Sequence, residues 1–158
     1  MGIVEKFKAT KWDVAKSKSV AAFYLDSDSG IPIDLAKGNP KAGKAIYITI
    51  TEGHVSSRLL NYQTSTAPIE TDSQIKRYKR TNGSVAPIVL IFQGSGNLMV
   101  YAEEDVKFND GANGYSAEYA YDGIHVCYTY SAKADSDHLL VNEYVANFIN
   151  SINQIGEQ

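Results

Sequence analysis

Three histidines are the scarcest side chains able to move protons at neutral pH in this chain. Two of them head similar triplets, His54-Val55-Ser56 and His125-Val126-Cys127, each at or beside an expected β-strand. Two imidazoles facing one another across a phosphodiester can act as general base and general acid. A hydroxyl two residues along the same strand can hold a phosphate oxygen. His54, Ser56 and His125 would be the working residues of such a site, although Cys127 stands where the second hydroxyl is needed.

That pattern resembles the paired His-x-Ser/Thr motifs of two-histidine phosphoesterases, matching it in the first triplet and not in the second. A second arrangement uses the same residues differently. Cys127 is the single cysteine; His125 lies two residues away on the same strand face, and Glu118 is expected cross-strand from Cys127. A thiol needs a nearby base to become a nucleophile, and this trio supplies candidates, but a small thiol on a hairpin face also reads as structural. Asp135, Asp137 and His138 could ligate a metal, yet they fall where a helix N-terminus favours acidic residues. Asp26-Ser27-Asp28-Ser29-Gly30 begins like a calcium loop. Its glycine comes fifth, not sixth, and Lys37 replaces the twelfth-position glutamate, so a turn is expected. Gly94-Ser95-Gly96 precedes a strand and lacks the helix N-terminus of a phosphate loop. No metal or cofactor is expected.

The elements that must position these residues are mostly strands. Ser19 to Leu25 and Ala45 to Thr51 read as strands, the second alternating Ile46, Ile48 and Ile50 against Tyr47, Thr49 and Thr51. Ile31 to Leu35 reads as an edge strand because Pro32 cannot donate to a ladder. Val85 to Phe92 is nearly continuous apolar sequence and reads as a central strand buried on both faces, followed by Leu98 to Ala102. Asp122-Gly123 is a two-residue hairpin signal. It pairs Tyr121 with Ile124, Tyr119 with Val126, Ala117 with Tyr128 and Tyr115 with Tyr130. One hairpin face then carries Tyr115, Tyr119, Tyr121, Tyr128 and Tyr130; the other carries Glu118, His125 and Cys127. Val141, Tyr144, Val145, Phe148, Ile149 and Ile152 fall on one face of a C-terminal helix, capped among Asp135 to Asp137 and ended by Gly156. Ile3, Val4 and Phe7 permit a short N-terminal helix. The expected fold is α+β, mainly β: six or seven antiparallel strands in a sandwich or partly closed barrel, with the C-terminal helix packed on it. All 158 residues form one domain, with a polar loop excursion at about 52–84, including a short helical turn at Leu59 and Leu60.

Composition bounds the function. Fifteen Lys+Arg against eighteen Asp+Glu give a net charge of −3 and argue against a dedicated nucleic-acid binder. No apolar run is long enough to span a bilayer, and the lysine-rich start is not a secretory signal. The expected location is the cytoplasm, or a particle assembled there. Eleven tyrosines suit a partner surface. Lys76, Arg77, Lys79 and Arg80 form a basic cluster, and Glu103, Glu104 and Asp105 an acidic one. Complementary patches of this kind suit head-to-tail contact between like or neighbouring subunits.

The stretch Tyr62-Gln63-Thr64-Ser65-Thr66-Ala67-Pro68-Ile69-Glu70-Thr71-Asp72 resembles a segment of bacteriophage and contractile-tail baseplate and tube-end proteins. These carry a small residue–apolar–polar–Asp turn between two strands. This chain lacks the usual histidine after the aspartate and inserts Lys76 to Ser84 before the next strand. The resemblance implies a β-rich, ring-forming structural protein. The first expectation is therefore a non-enzymatic assembly subunit. Its alternatives are a monomeric binding module using the tyrosine face and a small two-histidine phosphoesterase.

Overall fold

The computed structural model describes residues 20–41, 43–52, 68–69, 74–79, 88–121 and 123–156. Seven strands form one antiparallel sheet: β1 (Val20–Asp26), β2 (Ala45–Glu52), β3 (Ile75–Lys79), β4 (Ile88–Gln93), β5 (Met99–Lys107), β6 (Asn113–Tyr121) and β7 (Ile124–Ala132). Their order across the sheet is β1-β2-β7-β6-β5-β4-β3. Helix α1 (Asp135–Gly156) packs on one face. The mainly β, α+β class expected from sequence, with the C-terminal helix packed on the strands, is the one observed; among the described residues the strands form one sheet that does not close.

Alternation decides which residues the helix covers. Phe23 and Leu25, Ile46, Ile48 and Ile50, Val126, Tyr128 and Tyr130, Tyr119, Val100 and Phe92 lie in one buried cluster with Val141, Val145, Phe148, Ile149 and Ile152 of α1. The periodicity read along the C-terminal segment is thus the seam that closes the core. Aspartates organise the start of α1. Asp137 accepts from the Lys133 and Ala134 N–H groups at 2.8 and 3.0 Å, satisfying donors ahead of the first turn. Asp135 pairs with Arg77 of β3. The two aspartates at this terminus cap and anchor the helix.

Two turns are clamped by the helix. Asp26 Oδ1 accepts from the Asp28 and Ser29 N–H groups, both at 2.9 Å, and Gly30 completes the turn at φ +70°. A Cβ on Gly30 would stand 2.5 Å from the Tyr144 ring, whose hydroxyl donates to Asp28 O at 3.0 Å. At the other turn, Asn142 Oδ1 accepts from Ser95 N–H at 2.9 Å, and a Cβ on Gly94 would fall 2.3 Å from that oxygen. Both glycines let a helix side chain approach bare backbone. The calcium-like and phosphate-like motifs are therefore tight turns.

Several expectations change. Strand β3 lies inside the stretch read as loop, because it is the outermost strand and buries only Ile75. With one apolar inward residue it leaves no alternating signal. Ile31 to Leu35 is not a full strand. It makes one bridge, Leu25 with Pro32, and a 3-10 turn spans Leu35–Lys37. Strand β4 is buried on both faces, through Val89 on one and Leu90 and Phe92 on the other, but it is next to the edge and not central. The N-terminal helix, the Leu59–Leu60 turn and Arg80 lie outside the described residues.

Candidate functional site

The β6–β7 hairpin has the register its Asp-Gly turn predicts: Tyr121 with Ile124, Tyr119 with Val126, Ala117 with Tyr128 and Tyr115 with Tyr130. Its two faces serve different purposes. The tyrosine face lies beneath α1. Tyr119, Tyr128 and Tyr130 are buried, and Tyr115 and Tyr121 pack against the same cluster. Asn142 Nδ2 donates to the Tyr128 hydroxyl at 3.1 Å. The Tyr130 hydroxyl lies 2.7 Å from His138 Nδ1. Burial holds the His138 imidazole down to about 4, helped by the Arg77 guanidinium and opposed by Asp135 and Asp137. A neutral imidazole can accept the Tyr130 proton, and burial keeps that phenol protonated. Most of this aromatic face is core beneath the helix; Tyr119 and Tyr121 at one end also line a pocket with Leu98, Ala146, Ile149 and Asn150.

The opposite face brings the trio together. Glu118 pairs with Cys127 and Ala120 with His125 across the ladder, which places Glu118, His125 and Cys127 side by side. Glu118 and His125 retain only 3% and 7% of their exposure, although α1 covers the other side of the sheet. His125 Nε2 is 3.0 Å from Glu118 Oε2. Cys127 Sγ lies 3.6 Å from Nδ1, 3.9 Å from Nε2 and 4.0 Å from Glu118 Oε2. The Cys127 sulfur and then the Glu118 carboxylate push the His125 imidazole up to about 10, against the opposing effect of burial. Glu118 Oε1 is buried and has no hydrogen-bond partner among the described residues.

This geometry limits the chemistry. The nearly equal distances from Sγ to the two ring nitrogens put sulfur beside the imidazole, off the lone-pair axis of either nitrogen. Proton transfer from thiol to imidazole needs that axis. His125 is only 7% exposed, which does not suit contact with a phosphodiester. His54 and Ser56, the other members of that expected pair, lie outside the described residues. What the trio does offer is one sulfur, one imidazole nitrogen and one carboxylate oxygen within 4.8 Å of one another.

The charged clusters separate on the sheet. Lys76 and Lys79 are exposed on β3, while Arg77 is half-buried and engaged by Asp135. Glu103 and Glu104 sit on β5, two strands inward, where the register shifts between Glu104 and Val106. Asp105 belongs to the same strand.

Among the described residues, fold and site define an α+β protein: an open antiparallel sheet with helix α1 on one face and a buried Glu-His-Cys cluster on the other. No protein-family model matches the chain, and no curated protein matches it significantly. One solved structure is similar in outline, the iron-regulated outer membrane lipoprotein FrpD of Neisseria meningitidis. It shares 14% identity over 89% of this chain and 78% of that chain, with a TM-score of 0.44. At that level the likeness carries no functional argument. No helix among the described residues is long and apolar enough to cross a membrane.

Proposed function

We propose that the protein is a non-enzymatic assembly subunit whose outermost strand, β3, docks against an acidic segment of a second copy or a neighbouring subunit. The supporting observation is that the basic cluster is carried by the terminal strand of the sheet, with Lys76 and Lys79 exposed. Edge lysines oppose indiscriminate strand addition. Lys76, exposed on that strand, can meet a partner that brings carboxylates, and Glu104 makes a second copy of this chain one such partner. Arg77 does not take part, because Asp135 already holds it. The flank of β3 is shielded by a short segment at 68–69, attached through the Ile69 N–H donating to Arg77 O at 2.6 Å. Ile69 itself is 56% exposed. A contact of this kind adds apolar area beside the charges. The Tyr62–Asp72 resemblance suggests the setting, a ring in a tail- or baseplate-type particle; of that stretch only Pro68 and Ile69 are described.

Light scattering on a size-exclusion column at low and moderate salt tests the reading. It predicts an oligomer that weakens as salt screens exposed charges over about 8–10 Å. Lys76→Glu with Lys79→Glu should return the protein to monomer with unchanged circular dichroism. A monomer at both salts, or an oligomer indifferent to the double reversal, overturns assembly through β3.

A further inference from the structure

We propose that Glu118, His125 and Cys127 form a binding site for a divalent transition-metal ion of the zinc class, on the sheet face opposite α1. This goes beyond the assembly reading, does not depend on it, and concerns residues that the sequence alone leaves as a structural trio.

The first support is the donor set. One thiolate, one imidazole and one carboxylate are ligand types that zinc accepts, and three protein ligands leave a fourth position for water or another donor. Hard cations such as magnesium and calcium prefer all-oxygen sites and do not suit a cysteine sulfur.

The second support is spacing. Zinc bonds of about 2.0–2.1 Å to nitrogen and oxygen and about 2.3 Å to sulfur place tetrahedral donors roughly 3.3–3.6 Å apart. Here Glu118 Oε2 and His125 Nε2 are 3.0 Å apart, and Cys127 Sγ lies 3.9 Å from Nε2 and 4.0 Å from Oε2. These separations are within a few tenths of an ångström of tetrahedral donor spacing, and a turn of the His125 ring that aims the Nε2 lone pair between Glu118 Oε2 and Cys127 Sγ seats an ion among all three. All three side chains project from adjacent strands of one hairpin, whose register the Asp-Gly turn fixes, so the donors are brought together by the backbone.

The third support is independent of the other two. Glu118 is buried and its Oε1 has no partner among the described residues. A buried carboxylate oxygen without a donor is costly and calls for a partner. A cation bound at Oε2 compensates the whole carboxylate and can take Oε1 as a longer second contact.

The test uses untagged, chelator-stripped, full-length protein, with Co²⁺ as the optical probe and Zn²⁺ as competitor. Because Cys127 is the single cysteine, any thiolate-to-cobalt absorption belongs to it. The expected result is one Co²⁺ per chain, with near-ultraviolet thiolate absorption that Zn²⁺ abolishes. Cys127→Ser should remove that absorption and weaken Zn²⁺ binding by about a hundred-fold or more, since even supporting residues around metal ligands contribute 10–100-fold. Glu118→Gln should weaken Zn²⁺ binding while keeping the side chain's shape. A variant-free readout guards against misfolding: saturating Zn²⁺ should slow the reaction of the wild-type thiol with a disulfide reagent at least tenfold. Binding well below one ion per chain, equal affinity in the Cys127→Ser protein, or an unchanged thiol rate overturns the site.

Discussion

The two faces of the β6–β7 hairpin share one backbone and one register, yet their polar groups are treated differently. Beneath α1, the described buried polar groups are answered: Tyr128 by Asn142, Tyr130 by His138, and Asn142 also by the Ser95 N–H. On the other face, Glu118 is buried as deeply as much of the core, His125 is nearly so, and one carboxylate oxygen has no donor among the described residues. A face whose polar groups are closed among themselves specifies a fold. A buried face that leaves a charged oxygen open keeps a place for something else.

The contrast can be broken most severely from the helix side. Asn142→Ala removes the donor to the Tyr128 hydroxyl and the acceptor for Ser95 N–H in one step. Two polar groups lose their partners, and the expected loss is about 2–4 kcal/mol of unfolding free energy. Urea denaturation measures it, and a loss below about 1 kcal/mol would mean that the clamp contributes little.

Acid should weaken the same face next. His138 is neutral in the folded protein down to about 4, whereas its unfolded value is 6.5. Between these values the unfolded chain binds the extra proton, so stability falls as pH drops from about 6.5 to 4 and levels off outside that window. The steepest contribution is about 1.4 kcal/mol per pH unit. Comparing the wild type with His138→Gln isolates it, because other acid-sensitive groups are common to both. Equal slopes in the two proteins would contradict the assignment.

The smallest effect is expected on the other face. Cys127 is only half-buried, and its described polar contacts, to His125 and Glu118, are 3.6–4.0 Å long. Cys127→Ser should change metal-free stability by no more than about 0.5 kcal/mol. A larger loss would make the thiol a packing element and blur the distinction between the faces.

Much of this contrast is written in the sequence. Asp122-Gly123 fixes a two-residue turn, and a fixed turn assigns every side chain of the hairpin to one face or the other. The tyrosines and the Glu118–His125–Cys127 trio separate on that ground alone. The helix is legible because Val141, Val145, Phe148, Ile149 and Ile152 repeat at helical spacing. Which face the helix covers is a tertiary fact that spacing does not carry, and eleven tyrosines describe a core as well as they describe a partner surface. Strand β3 escapes because an outermost strand with Ile75 as its single buried residue reads as polar loop. The orphaned Glu118 oxygen depends on distances of a few tenths of an ångström, which no sequence pattern encodes.

The most direct test of this division is to measure unfolding free energy for the wild-type, Asn142→Ala and Cys127→Ser proteins, each without metal and with saturating Zn²⁺. A ligand held at a hundred times its dissociation constant stabilises the folded state by about 2.7 kcal/mol. The predicted result is that Asn142→Ala is weakened in both conditions and keeps the zinc increment, whereas Cys127→Ser starts near wild-type stability and loses the increment. A zinc increment that survives Cys127→Ser, or one absent from the wild type, would contradict the claim that this face of the hairpin is built to hold a metal.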